Sequence, residues 1–509
     1  MSHRVVTPGA TVAARASAAI ADDQLQAALG NLRTRLFTAR AVATSTPGLK
    51  DSAAALRRET LADLPAWLDR AEAKLRELGV VVHRAATPAD ARRVILDIAR
   101  HEEATLAVKS KSMATEEIDL VDALEAAGVE AVETDLGEYI VQVAGERPSH
   151  MITPAIHKTL GQIAHTLETR ADGEQLPVEH EAITAWARAH LRRRFLAGDL
   201  GITGANFLAA DTGTIVLVTN EGNADLCTIV PRVQIAVVPV EKVIARFADL
   251  PTLLPLLTRS ATGQRISNYL TMITGPRRAG EIDGPETLHV VLLDHGRTRL
   301  LGTPYEDMLA CIRCGACLNV CPVFRKISGH AYDAVYSGPM GKVLTPLLSE
   351  DGTEGRELPF ASSLCGACTE ACPVEIPLAD LLVRLRADLR RAGPIVPIVM
   401  DELPEREPVH ERLPGEGFDS PAADAPLLSP GAPRSAHRSV FRAWARAWSS
   451  PRGYRSSTGF ARAGARLVPG GWTGARVPVL RAWTSSRDAP LPAPRSFRER
   501  WATRDVDPW

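Results

Sequence analysis

Seven of the eight cysteines in this 509-residue chain fall between residues 311 and 372, in two short motifs. The first motif reads C-x2-C-x2-C-x3-C-P and runs from Cys311 to Pro322. The second reads C-x2-C-x3-C-P and runs from Cys365 to Pro373. Cysteines at such short, regular intervals are typical of sites in which thiolates hold metal. The chain must therefore fold so that the cysteines of each motif converge, which constrains its structure more than any other feature.

The first motif has the spacing that bacterial-type ferredoxins use to bind iron–sulfur clusters. In two-cluster ferredoxins, the fourth cysteine of this run binds the other cluster. Applied here, the rule predicts two [4Fe-4S] clusters, with each motif lending its last cysteine to the cluster of the other. Cluster 1 is predicted to bind Cys311, Cys314, Cys317 and Cys372, and cluster 2 is predicted to bind Cys321, Cys365 and Cys368.

Cluster 2 is one thiolate short in this assignment. Counting back from Pro373 with the spacing of the first motif places Ser362 in the vacant fourth slot. Three outcomes stay open: a four-iron cluster with a non-cysteine ligand, a [3Fe-4S] cluster, or a cubane with an exchangeable corner. The spacing does not choose among them.

Other uses of these cysteines fit the pattern less well. Zinc prefers closed four-ligand sites built from paired C-x2-C knuckles, and three closely spaced cysteines with a C-P ending do not match that arrangement. Disulfides are disfavoured because the sequence shows no secretory signal that would indicate an oxidising compartment. The isolated Cys227 is interpreted as a small buried hydrophobic residue, with the missing ligand of cluster 2 as the alternative.

Charge and hydropathy exclude several classes of protein. The formal net charge is −1, which does not favour binding to nucleic acid or to an anionic membrane surface. The sequence contains no run of apolar residues long enough to span a bilayer. We therefore expect a cytoplasmic protein, where thiols remain reduced.

Four regions are predicted along the chain: an N-terminal leader and helix (1–50), an α/β domain (51–298), a two-cluster domain (299–395) and a linker and tail (396–509). In the second region, short apolar runs alternate with amphipathic helices such as TPADARRVILDIARHE, which predicts a largely parallel sheet covered on both faces. The predicted strands are GVVVHRA, ATLAVKS, VEAVET, GTIVLVTN, VQIAVVPV and TLHVVLLD. The tail is rich in Arg and Trp, so it could contact a membrane surface, a partner or its own protein.

Ligands of such sheets bind where strands end, so the polar loops that follow strands are candidate sites. Lys109, Ser110, Lys111 and Ser112 follow one strand at the start of a predicted helix, which makes them a tentative substrate or anion loop. A second polar group follows the next strand and comprises Glu133, Asp135 and Glu138. The alternative is that these residues cap helices and close turns. No dinucleotide-binding G-x-G-x-x-G follows a strand, and no catalytic residue is assigned.

Several segments resemble the iron–sulfur B protein of bacterial lactate utilization over about residues 50 to 400. They are KSKSMATEEI, ETDLGEYIVQ, ERPSHMITPAIHK, ADTGTIVLVTNEGN and TGPRRAGEIDGPE, followed by the cysteine region with YSGPMGKVLTPLL between its halves. The resemblance implies a LUD domain of the NagB/RpiA/CoA-transferase-like type, followed by a helical ferredoxin-like domain. In that family a cysteine-rich A-type protein and a LUD-domain C-type protein are companions, and together the three oxidise L-lactate to pyruvate. The family also has three cysteines in the second motif.

Three functions follow from these patterns. The leading one is an electron-transfer subunit whose acceptor the sequence does not identify. The second is an enzyme whose α/β domain acts on a phosphorylated or acyl substrate, with structural or regulatory clusters, and it is motivated by Lys109 and Lys111. The third, a nucleic-acid protein with structural clusters, is disfavoured by the near-neutral charge.

Overall fold

The computed structural model describes residues 11–30, 48–171, 173–264 and 269–391, with isolated positions at 446, 453 and 456. Residues 1–10 of the predicted leader and most of the predicted tail therefore lie outside the described residues. Of the predicted N-terminal helix, residues 23–30 are described, and they are helical. An additional helix, α1 (Val12–Ala21), precedes them.

The strands are β1 (Val81–Ala85), β2 (Leu106–Lys109), β3 (Glu130–Glu133), β4 (Leu200–Thr203), β5 (Phe207–Ala209), β6 (Thr214–Thr219), β7 (Val233–Pro239), β8 (Val243–Ile244), β9 (Tyr269–Ile273) and β10 (Thr287–Leu293). The longer helices of the α/β domain are α2 (Leu49–Ala62), α3 (Leu64–Glu77), α4 (Pro88–His101), α5 (Met113–Glu117), α6 (Leu120–Ala126), α7 (Leu136–Val143), α8 (Leu160–Glu168), α9 (His180–Ala197), α10 (Asn223–Ile229) and α11 (Leu250–Thr262).

A parallel six-stranded sheet forms the centre of this domain, with the strand order β1-β10-β7-β4-β2-β3. Every residue of the central strand β7 is buried, as expected for a strand covered on both faces. Helix α4 begins at a capping box, in which Thr87 and Asp90 satisfy each other's backbone N–H groups. The predicted α/β fold with a largely parallel sheet is confirmed.

All six predicted strands form, but GTIVLVTN belongs to a different sheet. It is β6, which pairs antiparallel with β5 and β9 in a second sheet of order β8-β5-β6-β9. Strands β5 and β8 have three and two residues, which is too short to give a periodic apolar signal. The second sheet was missed because two of its strands are very short and because, apart from the β5–β6 hairpin, its strands pair with partners that are distant in the sequence.

The cysteine region is helical and packs onto the α/β domain. Its helices are α12 (Ala316–Val320), α13 (Phe324–Ile327), α14 (Gly338–Leu348), α15 (Ala367–Glu370) and α16 (Leu378–Arg391). One continuous apolar core contains residues of the second sheet together with residues of α12, α14 and α16. The two regions are thus held together by a shared core.

Helix α1 extends this packing from the N-terminal end of the chain. Its Arg15 donates a hydrogen bond to the carbonyl oxygen of Ala331 at 2.9 Å and pairs with Glu357 at 3.2 Å. The helix therefore lies against the cysteine region. In the described part of the chain, no helix combines the length and apolar character needed to cross a membrane.

Candidate metal centre

The four cysteines predicted to bind cluster 1 line one buried cavity. Cys311 follows a 3-10 turn, Cys314 lies in the loop after it, Cys317 is on α12 and Cys372 follows α15. All four line the same cavity, together with Met151, Met340 and Ile376. Two segments far apart in the sequence therefore contribute sulfur atoms to one enclosed, largely apolar space.

The electrostatics of these thiols reflect their proximity. Burial raises the pKa of Cys317 well above its usual value, and the neighbouring Cys311, Cys314 and Cys372 raise it further. Burial also raises the pKa of Cys372 to about 11, and Cys311 adds to that effect. Four converging thiols would repel one another when ionised, so this arrangement suits a cationic metal centre.

Cys321, Cys365 and Cys368 form a second group. Burial raises the pKa of Cys368, followed by the effects of Cys321 and Cys365. Cys365 is exposed, and its pKa is lowered by hydrogen bonds from the backbone of Ala367 and from the Ser363 side chain. This group is therefore open to solvent on the Cys365 side, in contrast to the first group.

The backbone of the second motif repeats that of the first. The residue before the second position of the repeat, occupied by Cys314 in the first motif and by Cys365 in the second, is left-handed in both, with φ values of 59° at Arg313 and 55° at Leu364. The glycine after that cysteine is also left-handed in both, at Gly315 and Gly366, and a short helix begins at the next residue. These two helices, α12 and α15, pack against each other.

The repeat places Ser362 in the position that Cys311 occupies in the first motif. The backbone N–H of Arg313 donates to Cys311 Sγ at 3.5 Å, and the backbone N–H of Leu364 donates to Ser362 Oγ at 3.2 Å. Both contacts join residues two apart in the sequence. The hydroxyl of Ser362 therefore replaces a thiol at an equivalent point of the fold.

Two polar side chains beside the cysteines support a fit to iron–sulfur clusters. The hydroxyl of Tyr332 is buried and has no hydrogen-bond partner among the described residues, although it lies near Cys321 and Cys317. Lys342 is 0% exposed, and its Nζ lies 3.8 Å from Cys321 Sγ. Buried donors need acceptors, and the inorganic and thiolate sulfurs of a cluster would supply them. The residues present thus fit the cofactor that the cysteine spacing predicts.

A buried arginine joins the cysteine region to the α/β domain. Arg57 of α2 is fully buried, and its guanidinium donates only to backbone carbonyls in the described structure. Its acceptors include Val243 at 2.7 Å and Leu309 at 3.1 Å, together with the carbonyl of Glu241. Because Leu309 lies two residues before Cys311, this side chain fixes the start of the first motif against the second sheet.

An ion-pair network continues from Glu241 toward Cys311. The fully buried Glu241 carboxylate lies 2.6 Å from Arg297 Nε and accepts a hydrogen bond from Arg313 Nη2 at 2.7 Å. Burial alone would raise the pKa of Glu241, but Arg297 and Arg313 lower it. Since Arg313 is part of the first motif, this network holds the predicted cluster 1 loop in place.

Glu117 forms the other end of the same network. Its carboxylate accepts two hydrogen bonds from Arg297, at 2.8 and 2.7 Å, and one from the Tyr336 hydroxyl at 2.6 Å. His295 Nδ1 lies 2.6 Å from the same carboxylate. Burial alone would raise the pKa of Glu117, but Arg297 and His295 hold it far below its usual value. The network therefore contains two ionised carboxylates.

The tentative substrate loop of the α/β domain is engaged in contacts of its own. Lys109 Nζ lies 2.5 Å from Glu133 Oε1 and 3.2 Å from Glu116 Oε1. Burial alone would lower the pKa of Lys109, but Glu133 and Glu116 raise it, so the ammonium stays charged. Lys111 donates to the carbonyl of Ile152 at 2.8 Å. Both lysines thus have partners, which does not favour an anion site.

The serines and acids of these loops also have structural contacts. The Ser110 backbone N–H donates to the Ile202 carbonyl, and Ser112 caps α5. Glu133 and Glu138 lie together with Glu116, whereas Asp135 caps α7. Ser112 and Asp135 thus have the capping role that the sequence offered as the alternative. The substrate loop stays a prediction.

Cys227 lies apart from the other cysteines, in an apolar cluster of the α/β domain. It is fully buried, its Sγ lies 3.3 Å from Thr134 Oγ1, and burial raises its pKa to about 12. A thiol that stays protonated is a poor metal ligand. This environment favours the packing role over that of a missing ligand.

The buried charges around the cysteines were missed by the sequence analysis. Arg57, Glu117 and Glu241 occur in segments whose charge pattern looks like that of ordinary surface helices and turns. Lys342 offers a usable signal, because it is the one charged residue in the otherwise apolar run GPMGKVLTPLL. A lysine within such a run is rarely buried without a partner.

Comparison with known families assigns a class to the domains described above. Residues 68–293 match the LUD domain family, and residues 307–376 match the 4Fe-4S dicluster domain family. Residues 419–506 match the family described as lactate utilisation protein B, C-terminal, which extends the likeness beyond residue 400. The chain is therefore an iron–sulfur-binding protein with an α/β LUD domain followed by a dicluster domain.

Similarity over nearly the whole chain defines the family. The chain is 41% identical to lactate utilization protein B of Oceanobacillus iheyensis over 455 residues, covering 88% of this chain and 86% of the relative. It is 39% identical to lactate utilization protein B of Bacillus velezensis over 496 residues, covering 96% of each. The chain belongs to the lactate utilization protein B family.

One solved structure also matches part of the chain. It is a DUF162 family protein from Deinococcus radiodurans, 13% identical, and the match covers 45% of this chain and 98% of that one. The TM-score of 0.25 is too low for the match to bear on the fold.

Proposed function

We propose that this protein is the iron–sulfur electron-transfer component of a multi-protein system that oxidises L-lactate to pyruvate. The main support is the interleaving of the cysteines: Cys372 lines the cavity of the first motif, and Cys321 lies with the cysteines of the second. Crossed ligation of this kind holds two clusters close together. The names of the relatives place the family in lactate utilization.

Each of the two clusters has its own set of cysteine ligands in this proposal. Cys311, Cys314, Cys317 and Cys372 would hold cluster 1, and Cys321, Cys365 and Cys368 would hold cluster 2. Iron–sulfur clusters supply one-electron transfer when bound. The protein's own part is to exclude water from the first group and to leave the second group accessible at Cys365.

The fourth position of cluster 2 is assigned to Ser362 in this proposal. Its hydroxyl lies where the first motif has Cys311, and a hydroxyl binds iron less readily than a thiolate. The second group would therefore hold either a four-iron cluster with an oxygen ligand or a three-iron cluster. Either form would differ from the first cluster in potential.

This chain is proposed to accept electrons from lactate, whereas other proteins of the system remove the hydrogen. Oxidation of a 2-hydroxy acid to a 2-oxo acid releases two electrons and two protons, so an acceptor with two one-electron centres suits it. No sequence motif for a flavin or nicotinamide is present to take a hydride. We therefore assign the removal of hydrogen from lactate to the companion A-type or C-type proteins. A cytoplasmic location is proposed for the system because thiols remain reduced in that compartment.

The α/β enzyme considered as an alternative has less support. Its motivation was a pair of lysines free to bind a phosphate or acyl group. Lys109 pairs with two buried glutamates and Lys111 donates to a backbone carbonyl, so neither has that freedom.

Lactate-dependent reduction tests the proposal. Anaerobically reconstituted protein is mixed with L-lactate, alone and with the two companion proteins, and the visible absorbance of the clusters is followed. We expect bleaching only when the companions are present, because the lactate site lies on them. Bleaching of the isolated chain by lactate would place the catalytic site in this protein. No bleaching in the complete mixture would remove lactate as the electron source.

A further inference from the structure

Lys342 is a buried lysine without a carboxylate partner in the described part of the chain. It lies on α14, is 0% exposed, and forms no ion pair with any acid in the described residues. Lys109, which is buried to the same extent, pairs with Glu133 and Glu116. A buried ammonium needs a compensating anion. For Lys342 the group within reach is a cysteine sulfur, Cys321 Sγ at 3.8 Å.

Two glycines allow the helix to carry this lysine into the cysteine region. Every residue of α14 is buried, and the helix packs against α12 and α16. A Cβ atom at Gly341 would lie 1.8 Å from the carbonyl oxygen of Tyr336, and one at Gly338 would lie 2.5 Å from Leu318. Close packing at these glycines therefore positions Lys342 beside α12.

The ammonium stands at the junction of the two cysteine groups. Burial lowers the pKa of Lys342, and the thiols of Cys321, Cys368 and Cys317 oppose that shift, in that order of effect. The first two belong to the second group, and Cys317 belongs to the first. Lys342 also lies 5.1 Å from the centre of the Tyr332 ring, which adds a cation–π contact. Its charge therefore acts mainly on the second group.

We propose that Lys342 raises the reduction potential of cluster 2 by donating a hydrogen bond to Cys321 Sγ and by its buried positive charge. The inference rests on the proposed function, since it requires cluster 2. Reduction adds one negative charge to a cluster, and a nearby cation stabilises the reduced form more than the oxidised form. Because Lys342 and Cys321 are both buried, this interaction is only weakly screened.

This placement gives electron flow a direction. The cluster that Lys342 favours in its reduced form is the one whose ligand Cys365 is exposed. Cluster 1 lies in the enclosed cavity, and among its ligands Cys317 is the one that Lys342 influences. Electrons would therefore collect on cluster 2, at the surface where an acceptor protein can approach.

A redox titration followed by EPR tests the inference, because it yields a separate midpoint for each cluster. The variant is Lys342→Met, which keeps the length of the side chain and removes the charge and the donor. We expect the equilibrium constant for reduction of cluster 2 to fall at least tenfold, which lowers its midpoint potential by about 59 mV for a one-electron couple. The midpoint of cluster 1 should move less.

The matched control is Lys326→Met. Lys326 lies five residues after Cys321 and is exposed, so its charge is screened by water. The control should leave both midpoints unchanged. Equal cluster 2 midpoints in Lys342→Met and Lys326→Met would overturn the inference.

Cluster content is measured first, because it separates this inference from the proposed function. Wild-type protein that lacks a second cluster would refute the proposed function itself. If Lys342→Met loses cluster 2, the midpoint potential is read from Lys342→Gln, which keeps an N–H donor but removes the charge. The cluster 2 midpoint of this variant should lie below the wild-type value. Loss of cluster 2 in both variants would show that Lys342 serves assembly rather than potential, and that outcome also overturns the inference.

Discussion

Replacing Cys372 by serine should remove about half of the iron of the protein, because it should destroy the cluster built on the first motif. Cys372 belongs to the second motif in the sequence, yet it lines the cavity formed by Cys311, Cys314 and Cys317. Iron and acid-labile sulfide, measured after anaerobic reconstitution, should fall from about eight to about four per chain, and the EPR signal of cluster 2 should remain.

Two further variants test whether Cys372 belongs to cluster 1 rather than to cluster 2. Cys368→Ser should remove the other cluster and leave cluster 1, because Cys368 groups with Cys321 and Cys365. Cys227→Ser should leave the iron content unchanged, since that thiol packs in the α/β domain. If Cys372→Ser and Cys368→Ser remove the same cluster, the crossed assignment is wrong.

Glu241→Gln should be strongly destabilising, by about 3–5 kcal/mol, which is the usual cost of removing one partner from a buried ion pair. The substitution keeps the shape of the side chain but leaves the charges of Arg297 and Arg313 without their shared carboxylate. The measurement is the urea midpoint of unfolding, followed by circular dichroism under anaerobic conditions. Because Arg313 belongs to the first motif, cluster 1 should also be lost at lower urea concentration than cluster 2.

The matched control is Glu77→Gln, at an exposed glutamate that pairs with Lys74. Surface pairs contribute little to stability, so the urea midpoint should stay at the wild-type value. Similar midpoints for Glu241→Gln and Glu77→Gln would contradict the view that the buried network holds the two regions together.

The features that could be predicted from the sequence are those with local causes. Cysteine spacing predicted two metal-binding motifs, and each motif forms one loop and one short helix. Strand β7 could be recognised because VQIAVVP is apolar throughout and is buried on both faces. Helix α4 could be recognised from its amphipathic pattern and its capping residues.

The features that the sequence did not predict depend on contacts between distant residues. Arg57 donates to carbonyls 184 to 253 positions away, and no local pattern marks it as buried. The same holds for Glu117, whose partner Arg297 is 180 positions away. Strand β8 consists of two residues and exists through its pairing with β5. Such elements are defined by the tertiary fold rather than by their own propensities.

Ser362 is marked both by its spacing in the sequence and by the backbone around it. Counting residues placed it in the vacant slot of the second motif. The structure then showed that the slot has the same backbone form as the first motif, because Leu364 and Gly366 repeat the left-handed conformations of Arg313 and Gly315. The equivalence therefore rests on geometry as well as on spacing.

The central claim is that thiolates from two separated motifs enclose two iron–sulfur clusters, and metal analysis of the anaerobically purified protein tests it most directly. We expect about seven to eight iron atoms per chain with a similar amount of acid-labile sulfide, and an EPR signal in the oxidised state if cluster 2 has three irons. A colourless protein that contains zinc, or no more than about four irons with every cysteine intact, would contradict the claim.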